Sequence, residues 1–195
     1  MLKSVPSITL FFLILSFLSS KDISANTKYV GAEGCKCHKS EISDWEFSHH
    51  AKSFDLLKPG KRKSRKKKAH LDPYKDYTED EKCIECHVTG FRKEGGFIDI
   101  DSTPQMAGVG CESCHGPGSE YRILHKNKSL DFSHLEAKKL GALYGSVDPS
   151  VCNKCHQHKN NPFKPEINKK YRFNHKKALK QVMSFHDYYE LEGEH

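Results

Sequence analysis

Cys111-Glu112-Ser113-Cys114-His115 is one of four short signatures that decide how this chain folds. The others are Cys83-Ile84-Glu85-Cys86-His87, Cys152-Asn153-Lys154-Cys155-His156 and the shorter Cys35-Lys36-Cys37-His38. Together they use all eight cysteines. Cys-x-x-Cys-His is the attachment motif of a c-type haem, in which both thiols bond to the porphyrin and the histidine binds the iron. The sequence therefore predicts four covalent haems, with His38, His87, His115 and His156 as proximal ligands.

Two other uses of paired cysteines compete with this interpretation. An exported chain with an even number of cysteines can form disulfides, and paired Cys-x-x-Cys units can bind zinc. Disulfides leave the four histidines unexplained, and zinc ribbons belong mostly to reducing compartments. Haem attachment is favoured, and the first signature is the weakest because only one residue separates its cysteines.

The first signature imposes its own local geometry. Residues three apart lie on nearly one side of an α-helix, whereas residues two apart point about 200° apart. Cys35 and Cys37 are therefore predicted to lie in a turn or extended segment, within reach of both vinyl positions. We expect both thioethers to form. The alternative is a single bond through Cys37, with Cys35 left as a free thiol.

The amino terminus is typical of an export signal. A short basic start, Met1-Leu2-Lys3-Ser4, precedes an almost continuous apolar run over 8–18 and a cleavage site at Ile23-Ser24-Ala25. The run is too short to span a bilayer. We predict a signal peptide over 1–25 and a tetrahaem domain over 26–195, located in the periplasm or an equivalent compartment. The alternative is an uncleaved membrane anchor.

The composition of the predicted domain is unusually polar. Leu, Ile, Val and Phe account for 30 of its 170 residues, too few for an ordinary hydrophobic core. Four porphyrins would supply the missing apolar surface. We expect a mainly α fold with little regular structure, organised around four covalent haems, and no stable fold without haem.

The local patterns predict short elements between the signatures. Thr78-Glu79-Asp80-Glu81 is a capping box before the second signature, and residues 91–100, centred on Glu94-Gly95-Gly96, predict one small β-hairpin. The predicted helices cover 40–57, a short segment around His125, 132–140, a segment beginning at Pro149, and 175–191.

Residues 61–68 form a basic segment: Lys61, Arg62, Lys63, Arg65, Lys66, Lys67 and Lys68. Export argues against nucleic acid as its partner. It is either a solvated face or a docking surface for a redox partner with an acidic face. A further alternative is that the segment binds an anionic membrane surface or an anionic substrate. The net charge is +7, and removal of 1–25 leaves +6, which haem propionates would largely balance.

Nine histidines lie outside the signatures and provide the candidates for second axial ligands: His49, His50, His70, His125, His134, His158, His175, His186 and His195. Helical placement near apolar or aromatic residues favours His186, His125, and either His49 or His50. Their placement does not assign a haem to each.

Several longer stretches give the chain a specific resemblance. It is similar to the tetrahaem cytochrome c-554 family of ammonia-oxidising bacteria, whose members accept electrons from hydroxylamine oxidoreductase. The matching stretches are Trp45 with His50-Ala51-Lys52, Leu71-Asp72-Pro73, Lys75-Asp76-Tyr77-Thr78, residues 108–118, Pro162-Phe163 and Leu191-Glu192-Gly193. The resemblance covers nearly the whole predicted domain.

The resemblance implies a set of iron ligands. The pairs are His38 with His125, His115 with His50, and His156 with His186. The second haem would have only His87, and its open face would lie beside the loop Asn161-Pro162-Phe163. The family has threonine in place of Asn161 and lysine in place of His70, so closure of this haem by a histidine remains the alternative. The other histidines are expected to be non-ligands.

Three functions are consistent with these features. The first is an electron carrier in nitrogen metabolism, which accepts electrons from an enzyme of the hydroxylamine oxidoreductase type. The second is a redox enzyme at the open haem, acting on nitric oxide or another small nitrogen compound. The third is a redox or gas sensor. The carrier is favoured because bis-histidine haems have no free coordination site.

Overall fold

The computed structural model describes residues 26–128 and 131–182. These residues form short helices joined by turns. The α-helices are α1 (Lys39–Glu46), α2 (Lys63–Lys68), α3 (Glu81–Ile84), α4 (Cys111–His115), α5 (Tyr121–Lys128), α6 (His134–Lys139), α7 (Pro149–His156) and α8 (His175–Val182). The 3-10 helices are Ala32–Cys35, Phe54–Leu57, Pro104–Met106 and Lys169–Tyr171. The predicted mainly helical fold with little regular structure is confirmed.

The predicted β-hairpin is not found at residues 91–100. Among the described residues, β-pairing is limited to an isolated antiparallel bridge between Val88 and Ala107. Two residues of this segment, Arg92 (55°) and Gly95 (74°), have positive φ angles, and so does Gly90 (65°) directly before it. Gly95 lies at the predicted turn, but the positive φ of Arg92 lies inside the first predicted strand and interrupts the extended backbone that a strand requires.

The predicted helix over 40–57 is split in two. α1 ends at Glu46, and a 3-10 helix follows at Phe54–Leu57. The turn between them is tied to the segment before α4. Trp45 Nε1 donates to the Val109 carbonyl at 2.9 Å, and the Val109 N–H donates to the His50 carbonyl at 2.9 Å. These bonds to a distant segment hold the chain around His50 in a turn.

The starts of two helices agree only partly with the sequence patterns. α7 begins at Pro149, as predicted, with Asp148 as its N-cap. The expected capping box before the second signature is not formed. Asp80 caps α3 by accepting from the Lys82 N–H, while the Thr78 hydroxyl donates to Asp76. α8 begins at His175, and the predicted continuation beyond Val182 lies outside the described residues.

Two small apolar clusters form the buried interior of the described residues. The larger surrounds the second signature and contains Phe54, Leu57, Tyr77, Ile84, Val88, Phe97 and Met106. The smaller lies between α5 and α6 and contains Phe132, Ala137 and Ala142. Their small size matches the polar composition of the chain.

The described helices are also short relative to a bilayer. Over residues 26–128 and 131–182, none combines the length and apolar character needed to cross a membrane.

Candidate haem sites

The second, third and fourth signatures lie on or at the end of helices. The third signature forms the whole of α4, the fourth ends α7, and the second begins in α3 and continues into the following turn. Helical geometry turns thiols three residues apart toward nearly the same side, with the histidine one residue further. These three segments therefore present two thiols and an imidazole together, as haem attachment requires.

The first signature adopts a different conformation. Cys35 ends the 3-10 helix Ala32–Cys35, and Cys37 lies in the following turn, which the His38 N–H closes by donating to the Cys35 carbonyl at 2.9 Å. The prediction that this shortened pair lies outside an α-helix, in a turn or extended segment, is therefore confirmed for Cys37, while Cys35 lies at the end of a 3-10 helix. Cys35 is partly buried and Cys37 is exposed. Whether both bond to haem stays a prediction.

His38 and His125 face each other across the first signature. Their ring centroids lie 6.0 Å apart, and their planes differ by 18°. Two imidazoles on opposite sides of one metal ion, with metal–nitrogen bonds of about 2.0 Å, have centroids about 6 Å apart. The pair therefore fits two axial ligands of one haem iron, as the resemblance implies.

His50 and His156 form a second pair of this kind. Their ring centroids lie 6.2 Å apart with planes inclined by 64°. The resemblance implies His50 opposite His115 and His156 opposite His186, whereas the structure places the His50 ring next to His156. The assignment of these histidines to particular haems stays a prediction. The Val109 N–H donates a hydrogen bond to the His50 carbonyl. This bond holds the turn at His50 in the place where the His50 ring lies next to His156 of the fourth signature. His186 lies outside the described residues.

Ser53 orients the histidine of the second signature. His87 Nδ1 lies 2.7 Å from the Ser53 carbonyl oxygen, and the Ser53 hydroxyl donates to the His87 carbonyl at 3.2 Å. A carbonyl can only accept, so Nδ1 carries the proton and Nε2 is left with a lone pair for a metal. His87 forms no ring contact with another histidine among the described residues.

Burial favours the neutral form of three of these imidazoles. It lowers the pKa of His50, His87 and His156 from the ordinary value for histidine. The neighbouring His50 lowers the pKa of His156 further. Because only a neutral imidazole has a lone pair for iron, these environments favour ligation.

The loop at Asn161 packs against the fourth signature. Asn161 Nδ2 donates to the His156 carbonyl at 3.0 Å, and its side-chain oxygen accepts from the Phe163 N–H at 2.9 Å. An open cleft of about 290 Å³ lies beside His156 and includes Phe163 and Phe173. The Phe173 ring stacks on His156 at 4.3 Å. The Asn161 amide thus stabilises this loop on the end of α7.

The histidines expected to be non-ligands have other environments. His175 Nε2 lies 2.9 Å from the Gly145 carbonyl oxygen, His134 packs edge-on against Tyr144, and His158 accepts from the Asn160 N–H. His49 and His70 are exposed, and His195 lies outside the described residues. Their role as non-ligands stays a prediction.

Cysteines of different signatures lie next to one another, and this shows which attachment sites are neighbours. Burial and then the neighbouring Cys111 raise the pKa of Cys35 to about 11, and burial and then Cys152 raise the pKa of Cys114 to about 11. Cys86 and Cys155 lie close enough for each to shift the pKa of the other, downward for Cys86 and upward for Cys155. α4 also packs on α7. The first site therefore adjoins the third, the third adjoins the fourth, and the fourth adjoins the second.

All eight cysteines are described, and none forms a disulfide.

The basic segment lies beside the second site, and one of its lysines is structural. Lys66 is only 4% exposed, its Nζ donates to the Lys58 carbonyl at 2.9 Å, and it lies 5.1 Å from the centre of the Tyr77 ring. Burial lowers the pKa of Lys66. The exposed members are Lys61, Arg62, Lys63, Arg65, Lys67 and Lys68. Because Tyr77 packs with Ile84 of α3 in one cluster, α2 is fixed next to the second signature.

Comparisons with known proteins agree with this geometry. The profile of the family described as cytochrome c554 and c-prime matches residues 34–116. Cytochrome c-554 of Nitrosomonas europaea is 35% identical over 199 residues, which span 92% of this chain and 84% of that protein. The structure of reduced cytochrome c554 from the same organism superposes with a TM-score of 0.74 at 36% identity, covering 87% of this chain and 89% of that one. Multihaem cytochrome MtrA of Shewanella baltica is 33% identical over 81 residues, which are 38% of this chain and 22% of MtrA.

The four signatures, the helical fold and these matches define a multihaem c-type cytochrome. The chain carries covalent c-type haem and exchanges electrons with redox partners. At this identity over nearly its full length, it belongs to the cytochrome c554 family. The haem interpretation therefore prevails over disulfides and zinc.

Three positioning residues were not predicted from the sequence. Ser53 and Trp45 act through hydrogen bonds to distant residues, and no local pattern marks such a role. Glu112 is a fully buried carboxylate inside the third signature. Its one sequence signal is its place between two haem-binding cysteines and before Gly116-Pro117-Gly118.

Proposed function

We propose that this protein is an exported tetrahaem electron carrier that accepts electrons from an enzyme of the hydroxylamine oxidoreductase type. The observation that carries the proposal is the series of adjoining attachment sites, in the order first, third, fourth, second. The hydrogen bond from Val30 to Glu112 and the packing of α4 on α7 support it, together with the mutual pKa shifts of the cysteines. A continuous series lets electrons enter at one end and leave at the other. The relationship to cytochrome c-554 supports the identity of the donor.

Three of the four haems have two histidine ligands in this proposal. His38 pairs with His125, and His156 pairs with His50, in accord with the ring separations of 6.0 and 6.2 Å. His50 cannot serve two irons, so His186 is assigned to the third haem with His115. The second haem has His87 alone. Residues 1–25 direct export, and residues 26–195 form the haem domain.

The basic segment is the docking surface for the electron donor. Its exposed residues lie beside the second site, which ends the series of attachment sites. Positive charge around the entry point raises the encounter rate with an acidic partner and makes that rate sensitive to salt. Lys66 is excluded from this surface because its ammonium is buried against backbone carbonyls.

Reduction kinetics with purified hydroxylamine oxidoreductase test this proposal. The docking variant replaces Lys61, Arg62, Lys63, Arg65, Lys67 and Lys68 by glutamine and retains Lys66. The control makes the same change in net charge at Lys138, Lys139, Lys169, Lys176, Lys177 and Lys180, which are exposed elsewhere. At low salt we expect the docking variant to be reduced about tenfold more slowly than the control, and the difference to shrink as salt is added.

This experiment tests the docking surface and the identity of the electron donor separately. Equal rates for the docking variant and the control would refute the docking surface while leaving the carrier role intact. A wild-type protein that the donor does not reduce at all would refute the assignment of the donor.

A redox enzyme at the second haem is the second candidate function. The observation that favours it is the contact of His87 Nδ1 with the Ser53 carbonyl, which leaves Nε2 able to bind a metal, while no second histidine ring contacts His87 in the described part of the chain. An iron with one protein ligand can bind a small molecule. Steady-state consumption of nitric oxide by the reduced protein, abolished by cyanide, would establish the enzyme. Reduced protein that transfers electrons but consumes no nitric oxide would exclude that reaction.

A further inference from the structure

Glu112 is a buried carboxylate in the middle of the third signature. Its residue is 2% exposed. Four hydrogen bonds from backbone N–H groups converge on its two oxygens. Oε1 accepts from Gly118 at 2.7 Å and from Val30 at 2.9 Å, and Oε2 accepts from Gly31 at 2.8 Å and from Val30 at 3.0 Å.

The surroundings of Glu112 suit an anion. Every one of these partners is a donor, so both oxygens act as acceptors and neither needs a proton. Burial is the largest influence and raises the pKa of Glu112 overall, while the N–H groups of Gly118, Val30 and Gly31 oppose this shift, in the way that donors to a carboxylate do. Hydrogen bonds to an ionised acceptor are also stronger than those to a neutral one.

The carboxylate lies between the attachment sites of the first and third haems. It is next to Cys111 in sequence, and its charge is close enough to Cys35 to raise the pKa of that thiol further, after burial and Cys111. It also binds Val30 and Gly31, which directly precede the 3-10 helix Ala32–Cys35. Arg122 is a nearby cation, and its charge lowers the pKa of both Glu112 and Cys35.

We propose that Glu112 is a fixed buried anion that lowers the reduction potentials of the first and third haems and anchors the segment before the first signature to α4. A negative charge near an iron stabilises the oxidised form, which carries one more positive charge than the reduced form. The low exposure of the site limits screening by water and salt. This proposal requires haem at the first and third signatures and is independent of the partner and of the second haem.

The test is a redox titration of the purified holoprotein, followed optically and by EPR. Glu112→Gln removes the charge and retains one acceptor oxygen. We expect the midpoint potentials of two of the four haems, the first and third, to shift upward while the other two stay unchanged. Glu112→Asp keeps the charge on a shorter side chain, so it should lower the melting temperature and leave the potentials near those of wild type.

Arg122→Gln provides an independent variant of opposite sign. Because it removes the exposed cation beside Glu112 and leaves the buried hydrogen bonds intact, the same two potentials should shift downward. Lys177→Gln on α8 is the matched control and should shift neither.

The outcomes separate an electrostatic role from a structural one. Unchanged potentials in Glu112→Gln, or equal shifts in Glu112→Gln and Glu112→Asp, would overturn the proposal. If Glu112→Gln yields no holoprotein, Arg122→Gln decides the question, and potentials equal to those of the Lys177→Gln control would then refute it.

Discussion

The imidazoles of His50 and His156 face each other with their ring centroids 6.2 Å apart. His50 lies in the turn after α1, and His156 ends the fourth signature on α7. This relationship ties the first part of the chain to the last signature. It is the basis of the proposed ligand scheme, in which His50 serves the fourth haem and His186 the third.

The first prediction concerns this pair. We expect His50→Ala to convert one low-spin haem into a high-spin haem, since the fourth iron would lose an axial ligand. Imidazole planes inclined by 64° split the iron orbitals less than nearly parallel planes do, so the EPR signal with the largest g value should disappear. His125→Ala should instead remove a rhombic signal, because the rings of His38 and His125 differ by only 18°.

His49→Ala is the control for that experiment. His49 is exposed next to His50, and its replacement should leave all low-spin signals unchanged. Loss of the same signal in His50→Ala and His125→Ala would contradict the two pairs.

The second prediction concerns Ser53, which is buried and bonded to the His87 carbonyl. Ser53→Ala should lower the free energy of unfolding by about 1 kcal/mol through the lost hydrogen bond. The bond from His87 Nδ1 goes to the Ser53 backbone and should survive. Thermal unfolding and the optical spectrum of the second haem would measure these effects. A full loss of that haem in Ser53→Ala would mean that the hydroxyl has a larger role than the structure indicates.

The third prediction concerns the shortened first signature. Peptide mass spectrometry should find haem bonded to both Cys35 and Cys37. The pair lies outside an α-helix, so the two thiols are not forced to opposite sides and can both reach the porphyrin. Alkylation of the denatured holoprotein provides the complementary measurement, with Cys111 as the internal control. A Cys35 thiol that reacts while Cys111 does not would establish attachment through Cys37 alone.

The fourth prediction separates the two kinds of lysine in the basic segment. Lys66→Gln should lower the free energy of unfolding by about 1–3 kcal/mol, since it removes a buried charged hydrogen bond and a contact with Tyr77. Lys67→Gln, an exposed neighbour on the same helix, should change it by less than about 0.5 kcal/mol. Chemical denaturation measures both variants, and equal destabilisation by the two would refute a structural role for Lys66.

The fifth prediction concerns removal of the cofactor. The apolar clusters of the described residues are small, so the chain produced without haem attachment should show no cooperative thermal transition by circular dichroism. The holoprotein, measured under the same conditions, should show one. A compact apoprotein that melts cooperatively would contradict the view that haem supplies most of the core.

The sequence predicted those features that depend on local chemistry. The four signatures, the start of α7 at Pro149 and the position of the Cys35–Cys37 pair outside an α-helix follow from residue types and spacing. The split of the predicted helix over 40–57 could not be foreseen, because it depends on hydrogen bonds from Trp45 and to His50 that join this region to Val109. The absence of strands at 91–100 has a similar cause, since several positive φ angles turn that loop.

Ligand pairing was the least predictable part of the site. Which distal histidine faces which signature depends on how α4, α7 and the turn at His50 pack together. That information is spread over contacts between distant residues. The buried position of Glu112 has the same origin, because Val30 and Gly31 reach it from far along the chain.

Near-infrared magnetic circular dichroism of the oxidised protein, normalised to the haem content per chain, tests the central claim most directly. It counts low-spin and high-spin haems separately. The ligand scheme predicts four haems per chain, of which three are low-spin with two histidine ligands and one is high-spin. Four low-spin haems would show that the second site is closed, and fewer than four haems per chain would contradict attachment at all four signatures.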